Sequence, residues 1–487
     1  GADNVSLTYD VFSFVVSVRQ TYIDQNYAFL HGVSAFGYIA GLENEEILLQ
    51  LEPLAHWKNV EVALEQLKMK GWAFRADNYD LLADSPIALG NFETTDYESG
   101  KVPHRVVMIG EGNYDLGQIK TDFKKINDFQ VELMGDHPSK KYVHFVYNVD
   151  SGGGGLEHLN CQTSMIPRWN YTDPAKYKSF LGLIAHEYFH LWNVKRIRPI
   201  ELGPFNYDQE CYTSLLWVME GITSYYDELV LLRAGFYTKQ EFINKLQSQI
   251  NYVEGTPGSR IQPVAHASFD AWIKAYRPNE NSSNTTMTYY SRGAVLGAVL
   301  DAYLIQKSKG KQGLDGFMQL LYNKYALGLQ RGFTEVEFLD ELEHYCGEDL
   351  DAFFESYVNG TQIIPYKQYF EPMGMQVIDN SAALTNFGLA LEDGEIVKVR
   401  YVRSGSAAED AGISAGDEIL ACDGFRADKT ALENKYNAMN PGSSIELLVA
   451  RDAKVFTVKC AYKTWVKPQY SLQIKDANAP YLLYWLR

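Results

Sequence analysis

The sequence predicts a multidomain protein of the α+β class, and three observations carry that prediction. Its 487 residues are enough for about three domains, each with its own core. Residues 1–75 contain short runs rich in β-branched and aromatic residues, which predict a β-rich N-terminal domain. Residues 76–370 give strands first and long helices afterwards, and residues 380–465 return to short strands and glycine turns before a tail at 466–487.

The boundary after the first domain is predicted from turn-forming residues. Asp, Ser and Pro punctuate residues 79–86, which is typical of a connection between domains. The chain begins with Gly-Ala-Asp-Asn, so we expect the N-terminal domain to be incomplete.

One helix of the central domain carries the most informative motif. Asp173 and Pro174 have the pattern of an N-cap followed by proline at the first helical position. Apolar residues then recur at helical spacing, and Arg198-Pro199 predicts the end of the helix. The sequence His-Glu-Tyr-Phe-His at 186–190 would lie in the middle of this helix.

The two histidines of that motif, His186 and His190, are four residues apart and therefore lie on one face of a helix. Both imidazoles can reach one metal ion, and Glu187 beside them can take a proton from a water that the metal activates. The motif predicts a hydrolase with one Zn²⁺ ion. The alternative is a helix with two incidental core histidines.

A catalytic zinc ion usually has a third protein ligand, and a second helix is the natural source. Residues 212–234 are helical in pattern and end before Gly235. Glu220 is an ionisable residue in an apolar part of this helix, where an unpartnered carboxylate would be costly. We expect Glu220 to be the third ligand, with Glu210 as the competing candidate. Asp227 and Glu228 either support the ligands or face solvent.

A glycine-rich stretch at 152–158 precedes the helix and ends in Glu157. Glycines such as Gly154 and Gly155 allow a strand to approach a substrate backbone closely. We expect the run at 142–149 to be the edge strand beside which a peptide adds, and Glu157 to pair with the ammonium group of the peptide. The alternative is a flexible glycine turn with a solvated carboxylate.

Tyr290 follows a polar loop and begins an apolar helical run. A phenol at the start of a helix beside a cleft can donate a hydrogen bond to an oxyanion. Tyr290 is therefore a candidate catalytic residue, and Tyr289 is the runner-up.

The C-terminal third contains a series of motifs in an order that resembles PDZ domains. Gly388, Leu389, Ala390 and Leu391 resemble the carboxylate-binding loop and its strand, and Asp423-Gly424 resembles the tight turn of these domains. Residues 428–439 would form the helix of the groove. Such a groove takes peptide C-termini by strand addition. The alternative is a domain that only packs against the catalytic unit.

Together, the central motifs resemble the gluzincin metallopeptidases related to aminopeptidase N, whose catalytic domain is thermolysin-like. The spacer of 29 residues between His190 and Glu220 is longer than in aminopeptidase N relatives. The longer spacer, the Gly-Gly-x-Glu-His form of residues 154–158 and the PDZ-like segment together make the chain more similar to the glycyl aminopeptidase family. This resemblance covers roughly residues 1–465. It implies that Glu157 binds the substrate amino terminus, that Tyr290 stabilises the tetrahedral intermediate, and that glycine and alanine are favoured.

Composition narrows the function further. The formal net charge of −17 disfavours general binding to nucleic acid or to anionic membranes. No apolar run approaches the roughly 18 residues that a membrane span needs. We therefore expect a soluble protein of the cytoplasm or periplasm that acts on peptides with a free amino terminus.

Three functions stay open from the sequence. The first is a zinc aminopeptidase. The second is a zinc endopeptidase in which Glu157 has no role, and the third is a non-catalytic PDZ adaptor with an inactive protease domain. The presence of His186, Glu187, His190 and Glu220 together favours an active enzyme over the adaptor.

Overall fold

The computed structural model describes residues 5–392 and 394–487. The first four residues of the predicted N-terminal domain, and residue 393 of the predicted C-terminal domain, lie outside the described residues. The chain divides into two compact units. The first comprises Gly1–Phe205, Tyr226–Thr238 and Asp315–Phe333, and the second comprises Asn206–Tyr225, Lys239–Leu314 and Thr334–Arg487.

The described part of the first unit is built from strands and a few helices. Its strands are β1 (Tyr22–Ile23), β2 (Tyr27–Leu30), β3 (Ile47–Leu51), β4 (Asn59–Glu61), β5 (Glu65–Gln66), β6 (Trp72–Ala76), β7 (Ile87–Gly90), β8 (Glu93–Ser99), β9 (Val102–Ile109), β10 (Tyr142–Val149), β11 (Gly154–Glu157) and β12 (Cys161–Pro167). Its helices are α1 (Gly32–Ala35), α2 (Tyr79–Ala83), α3 (Leu116–Met134) and α4 (Pro174–Phe189), with a 3₁₀ turn at Ile200–Leu202 and a π-helix at Tyr322–Leu329.

The N-terminal strands form two small sheets, in the orders β1-β2-β7-β4 and β3-β6-β5. Apolar side chains from both sheets share one core, which includes Phe74, Leu82 and Leu89. The first part of the chain is therefore β-rich, as the sequence predicts.

The five-stranded sheet of the first unit has the order β11-β12-β10-β9-β8. Strands β9, β10 and β12 are parallel, and β11 and β8 are antiparallel strands at the two edges. The expectation that 142–149 is the edge strand is wrong, because β10 pairs on both sides and is buried along nearly its whole length. Burial on both faces is typical of a strand that lies between two others in a parallel sheet. The edge strand is β11, which holds the glycines and Glu157.

Helix α4 begins where the sequence predicts. The Asp173 carboxylate accepts hydrogen bonds from the amides of Ala175 and Lys176, and Pro174 follows it. The helix ends at Phe189, well before Arg198, so the expectation that the histidine pair lies mid-helix is wrong. A turn closes the helix instead, in which the amide of Lys195 donates to the carbonyl of His190.

The described part of the second unit contains the remaining helices and strands. Its helices are α5 (Thr223–Arg233), α6 (Lys239–Gly255), α7 (Val264–Phe269), α8 (Ser282–Thr285), α9 (Tyr289–Lys307), α10 (Leu314–Leu321), α11 (Glu335–Cys346), α12 (Asp351–Tyr357), α13 (Tyr366–Phe370), α14 (Ala407–Asp410), α15 (Lys429–Asn437) and α16 (Pro480–Trp485), with a π-helix at Trp217–Ile222 and a 3₁₀ turn at Pro257–Arg260. Two of these helices cross the division: most residues of α5 and α10 lie in the ranges of the first unit. The strands are β13 (Met375–Asp379), β14 (Ala382–Thr385), β15 (Leu389–Leu391), β16 (Val399–Val402), β17 (Glu418–Cys422), β18 (Phe425–Arg426), β19 (Ser444–Arg451), β20 (Lys454–Ala461), β21 (Thr464–Lys467) and β22 (Tyr470–Ile474).

The helix predicted at 212–234 is shorter and less regular than expected. It starts as the π-helix Trp217–Ile222, continues directly as α5, and stops before Gly235, whose φ of 78° ends it as predicted. The residues predicted as a C-terminal tail are part of the fold of the second unit. Strand β22 pairs with β13, and Trp485 of α16 is fully buried and donates to the phenol oxygen of Tyr225.

Candidate active site

His186 and His190 lie in the last turn and at the C-cap of α4, with ring centroids 4.7 Å apart. Nδ1 of His186 is 3.0 Å from the Asp227 carboxylate, and Nδ1 of His190 is 2.7 Å from the carbonyl oxygen of Asn193. Both partners are acceptors, so each ring carries its proton on Nδ1. The Nε2 lone pairs are therefore available to a metal ion.

Glu220 joins these two histidines as a possible ligand. The three residues offer ligand atoms that all lie within 4.8 Å of one another. Glu220 is half-buried in the π-helix that runs into α5, and α5 carries Asp227, the partner of His186. The competing candidate, Glu210, is exposed and does not belong to the group. Irregular π-turns of this kind are frequent at functional sites.

Glu187 is buried, with 4 % of its surface exposed, and it faces strand β11. A Cβ atom added to Gly155 would lie only 2.6 Å from Cγ of Glu187 and closer still to its carboxylate. Gly155 therefore provides the space that the Glu187 side chain occupies.

Glu157 lies two residues after Gly155, on the same face of β11, because side chains alternate along a strand. Glu157, Glu187 and His190 form a second group whose ligand atoms lie within 4.8 Å of one another. On its other side β11 pairs with no strand among the described residues. Its main-chain groups can therefore accept an added peptide strand.

A cavity of about 500 Å³ opens beside Glu157, lined in part by Asp84, Lys195 and Arg198. The Asp84 carboxylate accepts from Nζ of Lys195 at 3.1 Å, and it also bonds Nδ1 of His158 at 2.8 Å. Burial raises the pKa of Asp84, but Lys195 and the hydrogen bond from His158 outweigh it, and the pKa falls to about 2. Asp84 is thus a fixed negative charge that holds Lys195 beside Glu157.

Tyr290 occupies the first turn of α9, after Thr288, whose hydroxyl oxygen accepts from the Tyr290 amide at 3.3 Å. Burial and then the nearby negative charge of Glu220 raise the pKa of Tyr290 well above its usual value. The phenol therefore stays protonated and can donate a hydrogen bond. The runner-up, Tyr289, stacks on Tyr290 at 4.7 Å and is 1 % exposed.

Two features at this site have no separate signal in the amino-acid sequence. Asn193 acts through its backbone carbonyl, which any residue type supplies. Val194 has a φ of 143°, a rare conformation for a β-branched residue, and it separates the carbonyl that holds His190 from Lys195. The sequence alone leaves Asp227 open between supporting a ligand and facing solvent, and in the structure its carboxylate lies 3.0 Å from Nδ1 of His186.

The C-terminal groove lies between β15 and α15, around a cavity of about 370 Å³. The cavity is lined by Gly388, Leu389 and Leu391 on one side and by Leu432 and Tyr436 on the other. Gly388 has a φ of 74°, and a Cβ atom there would collide with the Ser406 side chain. Strand β15 pairs with β16 alone among the described strands, which leaves its groove edge available for strand addition.

Two histidines and a carboxylate so arranged are a donor set that could hold a catalytic metal ion, which is the kind of site that metallopeptidases use. Three family models match the chain: the M61 glycyl aminopeptidase at residues 179–296, the peptidase M61 N-terminal domain at 1–91, and the PDZ domain at 372–461. The chain carries the domains of the M61 glycyl aminopeptidase family, followed by a PDZ domain. The multidomain fold class predicted from the sequence is therefore confirmed.

The chain is similar to several solved structures. An aminopeptidase N family protein from Idiomarina loihiensis superposes with a TM-score of 0.88 at 28% identity, over 98% of this chain and 85% of that one. Yeast LTA4 hydrolase with bestatin gives a TM-score of 0.47 at 14% identity, over 72% of this chain and 52% of that one. An M1 zinc metallopeptidase from Deinococcus radiodurans gives a TM-score of 0.46 at 13% identity, over 73% of this chain and 75% of that one.

No curated protein matches the sequence. Within the described ranges, none of the helices has the length and apolar character needed to cross a membrane.

Proposed function

We propose that this protein is a zinc-dependent aminopeptidase that releases small first residues, preferentially glycine or alanine, from peptides with a free amino terminus. Its family supports a metallo-aminopeptidase, and the identity of the ion and the preference for small residues are our proposal. The single observation that carries it is the grouping of His186, His190 and Glu220 beside the buried Glu187.

The donors fit zinc. Two imidazole nitrogens and one carboxylate oxygen are a ligand set that zinc hydrolases use, and it leaves a position for substrate or water. His186, His190 and Glu220 would hold one Zn²⁺ ion, with Asp227 and the Asn193 carbonyl fixing the orientation of the two rings. When bound, zinc supplies Lewis acidity that makes water more acidic and the scissile carbonyl more electrophilic.

Glu187 and Tyr290 would perform the proton transfer and the charge stabilisation. Glu187 takes a proton from the attacking water and passes it to the nitrogen of the leaving amine. Tyr290 donates its phenol proton in a hydrogen bond to the oxygen of the tetrahedral intermediate. A phenol held protonated by burial is suited to that role.

Glu157 would fix the register of cleavage. The substrate backbone adds to β11 along Gly154 and Gly155, and its ammonium group pairs with the Glu157 carboxylate. Lys195, held by Asp84, borders the same position, and its bulk favours a small first side chain. One residue is then released at each turnover.

The PDZ groove would bind peptide C-termini. Gly388, Leu389, Ala390 and Leu391 form the loop and strand that receive the carboxylate and the last residues of the ligand. The open edge of β15 and the apolar lining of the cavity support this assignment.

Two alternatives from the sequence are separated from this proposal by substrate. An endopeptidase cleaves peptides whose amino terminus is acetylated, whereas an aminopeptidase that uses Glu157 does not. A non-catalytic adaptor cleaves neither kind of peptide after loading with zinc.

The primary test is hydrolysis of glycyl- and alanyl-p-nitroanilide by the purified protein, with and without a chelator. We expect turnover that is lost with the chelator, restored by Zn²⁺, and reduced at least 1,000-fold in Glu187→Gln. For the ligand, Glu220→Gln is compared with the matched variant Glu210→Gln, and bound zinc is measured by metal analysis after dialysis. Zinc retained equally in both variants would contradict the assignment of Glu220.

A further inference from the structure

An exposed group of aromatic side chains lies in the second unit beside the elements that carry Glu220 and Tyr290. We call it the aromatic surface and define it by Tyr212, Phe269, Trp272 and Tyr276. Their exposed fractions are 38, 50, 50 and 52%. Large apolar side chains grouped at a surface often mark a binding site.

The aromatic surface is held in place at one end by the segment that leads into the π-helix. Nε1 of Trp272 donates to the carbonyl of Cys211 at 3.0 Å, and the rings of Tyr212 and Phe269 lie 5.2 Å apart. The amide of Trp217, the first residue of that π-helix, donates to the hydroxyl of Ser268 at 3.0 Å. Glu220 follows three residues later.

The other end of the aromatic surface reaches the start of α9. The phenol oxygen of Tyr276 is 3.5 Å from that of Tyr289, and the Tyr289 ring stacks on Tyr290. Tyr276 also contributes to the environment that raises the pKa of Tyr290. The aromatic surface therefore continues directly from the phenol assigned to the oxyanion.

The chemistry of the aromatic surface favours an uncharged partner. Lys274 and Asp270, which lie between Phe269 and Tyr276 in the chain, form an ion pair at 2.6 Å, so these two charges compensate each other. Aromatic faces bind apolar and aromatic side chains through burial and ring stacking.

We propose that the aromatic surface binds the side chain of the residue that follows the scissile bond, and that the preferred substrates have a large apolar or aromatic second residue. This inference rests on the proposed aminopeptidase function. The scissile carbonyl has the first residue on one side and the leaving amine on the other. Glu157 accounts for the first residue, and the aromatic surface borders the tyrosine that binds the carbonyl oxygen.

The test compares kcat/KM for Gly-Xaa-Ala-amide peptides in which Xaa is Phe, Leu, Ala or Asp. We expect the Phe and Leu peptides to exceed the Ala peptide by about tenfold and the Asp peptide by more, as a site for one large apolar group provides. In Trp272→Ala and Phe269→Ala we expect the ratio of kcat/KM between the Phe peptide and the Ala peptide to fall to about two. Trp169→Ala, which removes an exposed tryptophan of the first unit, keeps the ratio of the unmodified protein.

A binding measurement separates this inference from the proposed function. Calorimetry compares the leaving product Phe-Ala-amide with Ala-Ala-amide on the zinc-loaded protein, and we expect the first to bind at least fivefold more tightly. Loss of all turnover would reject the aminopeptidase, and this product comparison would still test the aromatic surface. Equal kcat/KM for all four peptides together with equal binding of the two products overturns the inference. A change of oligomeric state in Trp272→Ala, seen by sedimentation, with an unchanged ratio of kcat/KM between the Phe and Ala peptides overturns it as well.

Discussion

Gly155 is the position where one added methyl group should separate catalysis from folding and from metal binding. In Gly155→Ala the new Cβ atom would lie 2.6 Å from Cγ of Glu187, whereas ordinary contact begins at 3.4 Å. Glu187 is buried and Cγ lies near its backbone, so the side chain has little freedom to turn away. Cγ must therefore move by about 0.8 Å and the nearest carboxylate oxygen, which would lie at 2.2 Å, by about 1.2 Å, or the strand must move by a similar amount.

A displacement of that size sets the expected magnitude. Misplacing a catalytic group by about 1 Å can cost roughly 100-fold in rate. We expect kcat for glycyl-p-nitroanilide to fall by about 30- to 100-fold, or about 2–3 kcal/mol in the activation free energy. Zinc content should stay at that of the unmodified protein, because the nearest atoms to the added Cβ all belong to Glu187 and none belongs to a histidine.

Gly153→Ala is the matched control. Its added Cβ atom would meet only the Met165 carbonyl oxygen, at 3.7 Å, which is an ordinary contact. Both variants should melt near the temperature of the unmodified protein, and only Gly155→Ala should lose activity. Equal activity of the two variants would refute the placement of Glu187 against β11 as a requirement for turnover.

Three further predictions concern other parts of the site. Asp227→Asn should weaken zinc binding by about 10- to 100-fold, measured by chelator competition, because the partner that orients His186 loses its charge; unchanged affinity would argue against this support. Gly293→Ala should reduce kcat at least tenfold, since the added atom would lie 2.5 Å from the Trp217 carbonyl oxygen, while Gly297→Ala on the same helix, with a nearest contact of 3.2 Å, should retain most activity. The pKa of Asp84 is lowered to about 2, so its contribution to stability is present above about pH 4 and is lost as the pH falls toward 2. Thermal midpoints between pH 5 and 2 should accordingly drop less steeply in Asp84→Asn, and parallel curves would contradict that role.

Local signals explain which helix boundaries were predictable. The start of α4 follows from Asp173 and Pro174, whose capping chemistry acts within one turn of the chain. Its end depends on a turn in which Lys195 reaches back to His190, and Val194 adopts a conformation that no valine signals in advance. The sequence therefore predicts a candidate metal-binding motif but not its place at the end of the helix.

The strand error has a different cause. The apolar run of β10 predicts a strand, and the structure contains that strand, but its neighbours come from β9 and β12, which are distant in sequence. Strand β10 contains His144 and Asn148 among its apolar residues, so its pattern does not separate an edge strand from a central one, although nearly all of it is buried. Among the described strands, the open edge belongs to the glycine stretch of β11.

The candidate site was predictable where the residue type itself carries chemistry. The spacing of His186, Glu187 and His190 and the apolar sequence around Glu220 predict these residues, and the structure brings their ligand atoms or side chains into one region. Their roles stay predictions until the ion and the reaction are measured. Contributions made through backbone atoms or through missing atoms, such as the Asn193 carbonyl and the absent Cβ of Gly155, leave little trace in sequence.

The π-helix Trp217–Ile222 makes the site depend on the number of residues as well as on their kinds. A π-turn holds one residue more than an α-turn, so removing a single residue from this stretch is enough to convert it. Each residue of an α-helix advances the direction of the side chain by about 100°, so a deletion at Gly221 or Ile222, between Glu220 and Asp227, would turn these two side chains relative to each other by a similar angle. A related chain could therefore keep the residues that correspond to His186, His190 and Glu220, lose one residue at this point, and no longer bring the three side chains together. The number of residues in this segment therefore determines the geometry of the site, as their identities do.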